Sequence, residues 1–344
     1  MKDLKYLLAY LTPFCFFTGL YFLGPLSWLT IFFAFVMVPM IDQLGTISEE
    51  NLTTLEVEDK LKDRFFDWLL YLNLPLVYLA IAGTIYVLSS PALETYEIAG
   101  IIVSLGSLLS AMGINVGHEL GHRSSKFEQT LSKLLYLPSH YIHFFIEHNK
   151  GHHKNVATPL DPATARKGQS LYAFWIQSVV GAYRSAWTIE NNRLRRSDQS
   201  VLTWNNQMIR FTVYQIGYWL IILVLSSPMI TALLMIAGVL SFLQLETINY
   251  VEHYGLQRRL LSSGRYERVQ SHHSWNANYP FGRILLYELT RHSDHHFIAS
   301  KRYQILDHHT NAPELPYGYP ASMIASMIPP LWYSIMDEKV PSYS

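Results

Sequence analysis

Hydrophobic residues along this chain come in runs longer than a soluble helix needs, and polar residues collect between alternate pairs of runs. Apolar stretches occupy about Leu4–Leu23, Trp28–Leu44, Trp68–Ser89, Tyr96–Val116, Arg210–Ser226 and Pro228–Leu245. A hydrocarbon layer ~30 Å thick takes about 20 helical residues to cross. The pattern therefore predicts six membrane-spanning helices, the second and fifth of them short. They pair into three hairpins whose turns, Gly24–Ser27, Ser89–Glu97 and Ser226–Pro228, contain no lysine or arginine. The basic residues collect on the other side, with the N-terminus, Gln43–Asp67, Gly117–Ile209 and everything after Thr247. Basic loops mark the cytoplasmic face of a membrane protein. The expectation is an all-α integral membrane protein whose two termini and polar regions are cytoplasmic. It reads as one domain over 1–344: helices one to four in 1–116, a polar region in 117–207, helices five and six in 208–248, and a second polar region in 249–344.

Composition agrees. Half of the residues are hydrophobic and only 15% are charged, against roughly a quarter in soluble domains. The 26 basic residues balance 26 acidic ones, which leaves no electrostatic footprint for nucleic acid. The first apolar run lacks a small-residue cleavage site and is followed by Gly24-Pro25, so it reads as a retained anchor. Cys15 is the single cysteine; disulfides, thiolate zinc sites and a four-cysteine iron centre are excluded. No glycine-rich nucleotide fingerprint is present. Any redox chemistry must draw its electrons from another protein. The acid-rich segment Gln43–Arg64 reads as a solvated loop, and Tyr21, Tyr71, Tyr96 and Tyr214 read as a membrane-boundary belt.

Nine of the fifteen histidines form four groups: His118/His122, His148/His152/His153, His253 and His292/His295/His296. All lie at or beyond the ends of apolar runs on the basic side. Residues four apart share a helix face, so His118 and His122 can hold one ion. Adjacent residues on a helix point about 100° apart, so His152 and His153 are expected to serve different ions. His292, His295 and His296 have the i, i+3, i+4 spacing of one face. Nine imidazoles exceed what one tetrahedral ion uses; two metal ions with four or five ligands each fit the count. Glu119, Glu147, Asp161, Glu252 and Asp294 are candidates to orient the imidazoles. His140, His143, His272, His273, His308 and His309 are read as structural or supporting, the roles of His272 and His273 being left open.

Spacings H-x3-H, H-x3-H-H and H-x2-H-H resemble the histidine boxes of integral-membrane di-iron desaturases and hydroxylases. The longer strings HELGHR (118–123), EHNKGHHKNVATPLDPA (147–163), NYVEHYG (249–255) and RHSDHH (291–296) resemble one branch, the alkane 1-monooxygenases. The likeness extends to Gly264–Glu267, His273–Asn276 and Arg302–Gln304 and covers roughly Phe14 to Val340; the short terminal extensions depart from it. The resemblance implies a bacterial inner-membrane enzyme with two non-haem iron ions. It implies hydroxylation of the terminal methyl of medium- to long-chain alkanes with dioxygen and electrons from a rubredoxin and its reductase. It also implies a tunnel gate in the second helix, where Ala34 lies between Phe33 and Phe35. A xylene-type methyl hydroxylase and a fatty-acyl desaturase or hydroxylase are the neighbouring alternatives. In a different class, H-E-x-x-H at His118–His122 is also the signature of a zinc metalloprotease, which would leave six clustered histidines without a use. A non-enzymatic metal carrier would place its histidines at mid-bilayer rather than on one face.

Overall fold

In the computed structural model, which describes residues 2–90 and 92–341, regular structure is helical. Strand pairing among the described residues is limited to the isolated bridges Leu260–Tyr266 and Asn276–Glu314. Among the described residues, five helices are long and apolar enough to cross a membrane: α2 (Gly24–Leu44), α4 (Phe65–Leu88), α5 (Thr95–Gly121), α8 (Gln207–Leu225) and α9 (Pro228–His253). The predicted span at Leu4–Leu23 is instead divided between a 3₁₀ stretch, Lys2–Tyr10, and α1, Leu11–Phe22. Other helices are the short α3 (Thr54–Lys62), α6 (Lys126–Tyr136), α10 (His292–Phe297), α11 (Tyr319–Ser326) and α12 (Pro329–Met336), and the long, more polar α7 (Leu171–Arg195).

The chain forms two compact units, interleaved in sequence. One comprises residues 1–36, 65–146 and 186–245. Its centre is α5, 78% of whose apolar window is buried, against 17% for α8. Small residues bring its helices together, as lipid offers no hydrophobic drive for helix association and close backbone packing must supply it. A Cβ on Gly106 would come within 2.9 Å of Leu240, and one on Gly100 within 2.4 Å of Ser27. Polar side chains join the same helices: Ser104 Oγ donates to the Ser27 carbonyl at 2.9 Å and Gln244 to Ser107 Oγ at 2.9 Å.

The other unit comprises residues 37–64, 147–185 and 246–344. Its core is aromatic, with Tyr250, Tyr254, Trp275 and Trp332 packed together. Helix α9 ends just after His253 because Gly255 takes φ +73°, a left-handed conformation that costs glycine nothing. A Cβ there would also strike Val340 at 2.7 Å. The segment Gln43–Arg64 is more than a solvated loop. The carbonyls of Ser48 and Glu50 accept from the Arg291 guanidinium, and Thr53 with Glu56 forms a capping box that starts α3.

Three π-helical turns interrupt the helices, at Phe33–Met37, Leu109–Ile114 and His148–His152. A π turn inserts one residue, so side chains beyond it face about 100° away from where an unbroken helix would put them. The first contains Ala34, which is half-buried; the second precedes the His118 box; the third lies within the second histidine cluster.

Candidate metal centre

His148 and His153 face each other through Nε2 atoms 3.0 Å apart. Their five-residue separation is what the π turn His148–His152 produces: its i→i+5 ladder brings the fifth residue over the first. An α-helical reading pairs His148 with His152 instead. His295 joins this pair, and the ligand-capable nitrogens of the three lie within 4.8 Å of one another.

His152 turns the other way. It meets His253, His292 and His296, all four buried, with their nitrogens within 4.8 Å of one another. Two Nε2 to Nε2 approaches close the group, His152 to His296 at 3.2 Å and His253 to His292 at 3.1 Å. The triplet on α10 is thus divided: His292 and His296, four apart, serve this group, and His295 serves the other. In the first unit, His118 and His122 at the end of α5 likewise present Nε2 atoms 3.2 Å apart.

The donor chemistry suits a metal ion. A carboxylate can only accept, so His152, 2.9 Å from Asp161 through Nδ1, carries its proton there. Its Nε2 lone pair then points at His296. Asp161 is itself fixed by the Thr164 hydroxyl at 2.6 Å and the Ala163 N–H at 3.1 Å. His296 Nδ1 is buried with no hydrogen-bond partner. His292 Nε2 faces both His253 Nε2 and Glu252 Oε2, the latter at 3.2 Å, a meeting point for lone pairs that either a proton on His292 or a shared metal ion would satisfy. Glu252 therefore stands on the ligand side of His292 rather than behind it, and Tyr319 donates to its other oxygen at 2.5 Å.

Burial keeps His295 and His296 in the neutral form that binds metal. Burial pushes His295 down to about 3, and burial with the neighbouring histidines drives His296 well below its ordinary value. Burial is the largest single influence on His152 and opposes its charged form, but Asp161, Glu147 and Glu252 together outweigh it and raise the pKa. Glu147 is driven up to about 8 by burial and then by the negative charge of Asp161.

The five carboxylates read from the sequence differ in what they bind. Asp161 and Glu252 contact clustered histidines. Glu147 accepts from Ser185 at 3.3 Å. Asp294 is bound by Lys301, by the Asp307 N–H and by His309, one of the histidines outside the clusters. Glu119 is clasped by Arg123 at 3.1 and 2.8 Å, with Asp67 and Glu128 close to the same guanidinium. A protease base must be free to take a proton from water, and Glu119 is committed to a buried ion pair.

His140 stacks on Trp219 at 4.6 Å and accepts its indole N–H; His308 is bound by Asn278. His272 and His273 approach Glu267, but the geometry disfavours a cation. His273 Nδ1 accepts from the Gln270 N–H, which leaves the proton on Nε2, and Arg259 already neutralises Glu267. His273 instead supports the four-histidine group, since its carbonyl accepts from the His253 ring.

Two supporting residues escaped the sequence reading. Arg291 is buried and anchors the start of α10 to the carbonyls of Glu50 and Leu306, both at 2.7 Å; its place directly before His292 was the available signal. Tyr319 lies 66 residues beyond His253 with no motif around it.

Residues 96–325 match the family model for fatty acid desaturases. The chain is 37% identical over 308 residues to an alkane 1-monooxygenase of Pseudomonas putida, covering 90% of this chain and 76% of that protein. It is 35% identical over 344 residues to alkane 1-monooxygenase 1 of Alcanivorax borkumensis, covering 98% and 85%. The xylene/toluene monooxygenase hydroxylase component XylM of Pseudomonas putida is 28% identical over 339 residues, covering 98% and 88%. The match to the family model runs from inside α5 into α11, and these relatives align with most of the chain, so the likeness extends well beyond the histidine motifs: the chain belongs to the alkane 1-monooxygenases, membrane oxidoreductases of the histidine-box superfamily.

Proposed function

We propose that this protein hydroxylates the terminal methyl group of medium- to long-chain alkanes, using dioxygen, two irons and electrons from a rubredoxin-type donor with its reductase. One iron is held by His152, His253, His292 and His296, and the other by His148, His153 and His295 together with His118 and His122. The observation that carries the reading is the buried four-histidine group whose His152 tautomer Asp161 fixes with its lone pair inward. The second assignment rests on number: three imidazoles fall short of the four or five ligands such an ion takes, and His118/His122 offer two more.

Iron bound at these residues supplies the oxidant that an unactivated C–H bond needs, with the second oxygen atom of dioxygen leaving as water. The chain's own contribution is placement and exclusion. Asp161 holds the His152 imidazole in position, and Tyr319 holds Glu252 on the ligand side of His292. An alkane has no polar handle, so shape and burial must orient it; Ala34, small between two phenylalanines, sets the length it accepts. The active face is the cytoplasmic side of a bacterial inner membrane, since the basic loops lie there. Cys15 is the chain's only cysteine, so the electrons must come from outside it.

The test is metal analysis of the purified protein followed by turnover of octane and hexadecane with a rubredoxin and its reductase. Two irons per chain and 1-alkanol as product are expected; a single zinc, or no alcohol from an iron-loaded protein, overturns the proposal. The likeness to XylM favours one second reading, methyl groups on aromatic rings, and faster oxidation of m-xylene than of any alkane would establish it.

A further inference from the structure

On the first unit, α4, α6 and the start of α8 border an open cleft of about 780 Å³, within the usual size range of ligand sites. Its lining combines cationic and apolar side chains. Lys133 and Arg210 are among the lining residues, and no carboxylate is. Arg210 makes no ion pair among the described residues, and Lys133 lies with its ammonium 4.3 Å over the Phe145 ring. Tyr78, Leu134 and Tyr218 add apolar wall, with the two tyrosine rings edge to face at 6.5 Å. Gly217 opens the wall, since a Cβ there would meet no atom within 4 Å.

Arg210 sits in the first turn of spanning helix α8 and Gly217 seven residues on, about 10 Å deeper along the axis. Cations at the level where the helix leaves the bilayer, above an apolar groove running inward, match one ligand: a molecule with an anionic head and a hydrocarbon tail. Free phosphate would leave the groove unused, and an alkane would leave both cations unused. We infer that this cleft binds an anionic membrane phospholipid, its phosphate between Lys133 and Arg210 and one acyl chain along Tyr78, Tyr218 and Gly217. The site is independent of the metal centre and of the substrate assignment.

The test uses the full-length protein in nanodiscs of phosphatidylcholine titrated with phosphatidylglycerol, reading the thermal midpoint, together with native mass spectrometry of retained lipid. A saturable rise with phosphatidylglycerol and a co-purifying anionic phospholipid are expected. Each cation near an anionic surface contributes enough for about fivefold in affinity. Lys133→Gln with Arg210→Gln should therefore raise the half-saturating fraction by about 10- to 30-fold, with metal content unchanged. Gly217→Phe, which fills the groove and keeps both charges, should abolish the saturable rise; should the double variant fail to fold, this and the single changes carry the test. An equal response to phosphatidylcholine, an unchanged titration in the variants, or saturable stabilisation by hexadecane but not by phosphatidylglycerol overturns the inference.

Discussion

Replacing Asp161 by asparagine tests how the protein prepares an imidazole for metal. The carboxylate is buried and saturated: Oδ2 takes the His152 Nδ1–H at 2.9 Å and the Thr164 hydroxyl at 2.6 Å, and Oδ1 takes the Ala163 N–H at 3.1 Å. An amide has one oxygen and one NH₂. With the oxygen toward His152, the NH₂ confronts the Ala163 N–H; flipped, it confronts His152 and Thr164. In the first orientation a buried backbone donor loses its acceptor, at about 1–3 kcal/mol. In the second, His152 must move its proton to Nε2, where it closes the lone pair facing His296. Loss of such a supporting bond weakens metal affinity by about 10- to 100-fold, or about 1.4–2.7 kcal/mol. The assay is metal content after purification, with a chelator competition to obtain the dissociation constant; neither depends on turnover. Thr164→Val keeps the carboxylate and removes one donor, so it should cost much less. An Asp161→Asn protein that holds the same metal complement within twofold of the original affinity would refute the argument that this carboxylate sets the tautomer.

Three further outcomes are expected. Arg123→Met leaves Glu119, Asp67 and Glu128 without their shared cation; stranding buried carboxylates costs about 3–5 kcal/mol, so the thermal midpoint should fall sharply, and a shift of only a degree or two would contradict the pairing. Burial, with Glu49 adding, raises the pKa of Glu314 to about 7, above its unfolded value of 4.5. A group with a raised folded pKa stabilises most below the unfolded pKa and loses that contribution as pH rises through the folded one. Stability should therefore drop between about pH 4.5 and 7, and Glu314→Gln should flatten that part of the melting profile; parallel profiles would remove the assignment. Ala34→Trp should shorten the longest alkane converted, measured by product chain length from a mixture, and an unchanged profile would remove Ala34 from the gate.

Much of the architecture was legible because membrane helices are written in a coarse code. A run such as Pro228–Leu245 has few stable fates other than a buried or spanning helix. The nine histidines were legible for a related reason: short clusters recurring at the polar ends of such runs leave little room for coincidence. The pairing was not legible. A period of 3.6 assumes an unbroken α-helix, and the π turn at His148–His152 breaks it, so His148 shares its ligand group with His153 and not with His152. The carboxylates show the same limit. Sequence proximity to a histidine chose Glu147 and Asp294 as readily as Asp161, yet burial and direction give Glu147 to Ser185 and Asp294 to Lys301 and His309.

The sequence by itself determined an all-helical membrane protein, its family and the nine clustered histidines proposed to hold its metal, because hydropathy and local spacing are properties of neighbours in the chain. Which imidazoles share a group, which oxygen fixes which tautomer, and that Tyr319 and the Ser48 and Glu50 carbonyls support the site were decided only by tertiary structure. Apart from pairs within one histidine cluster, those contacts join residues 9 to 243 positions apart, and nothing in local periodicity carries information over such distances.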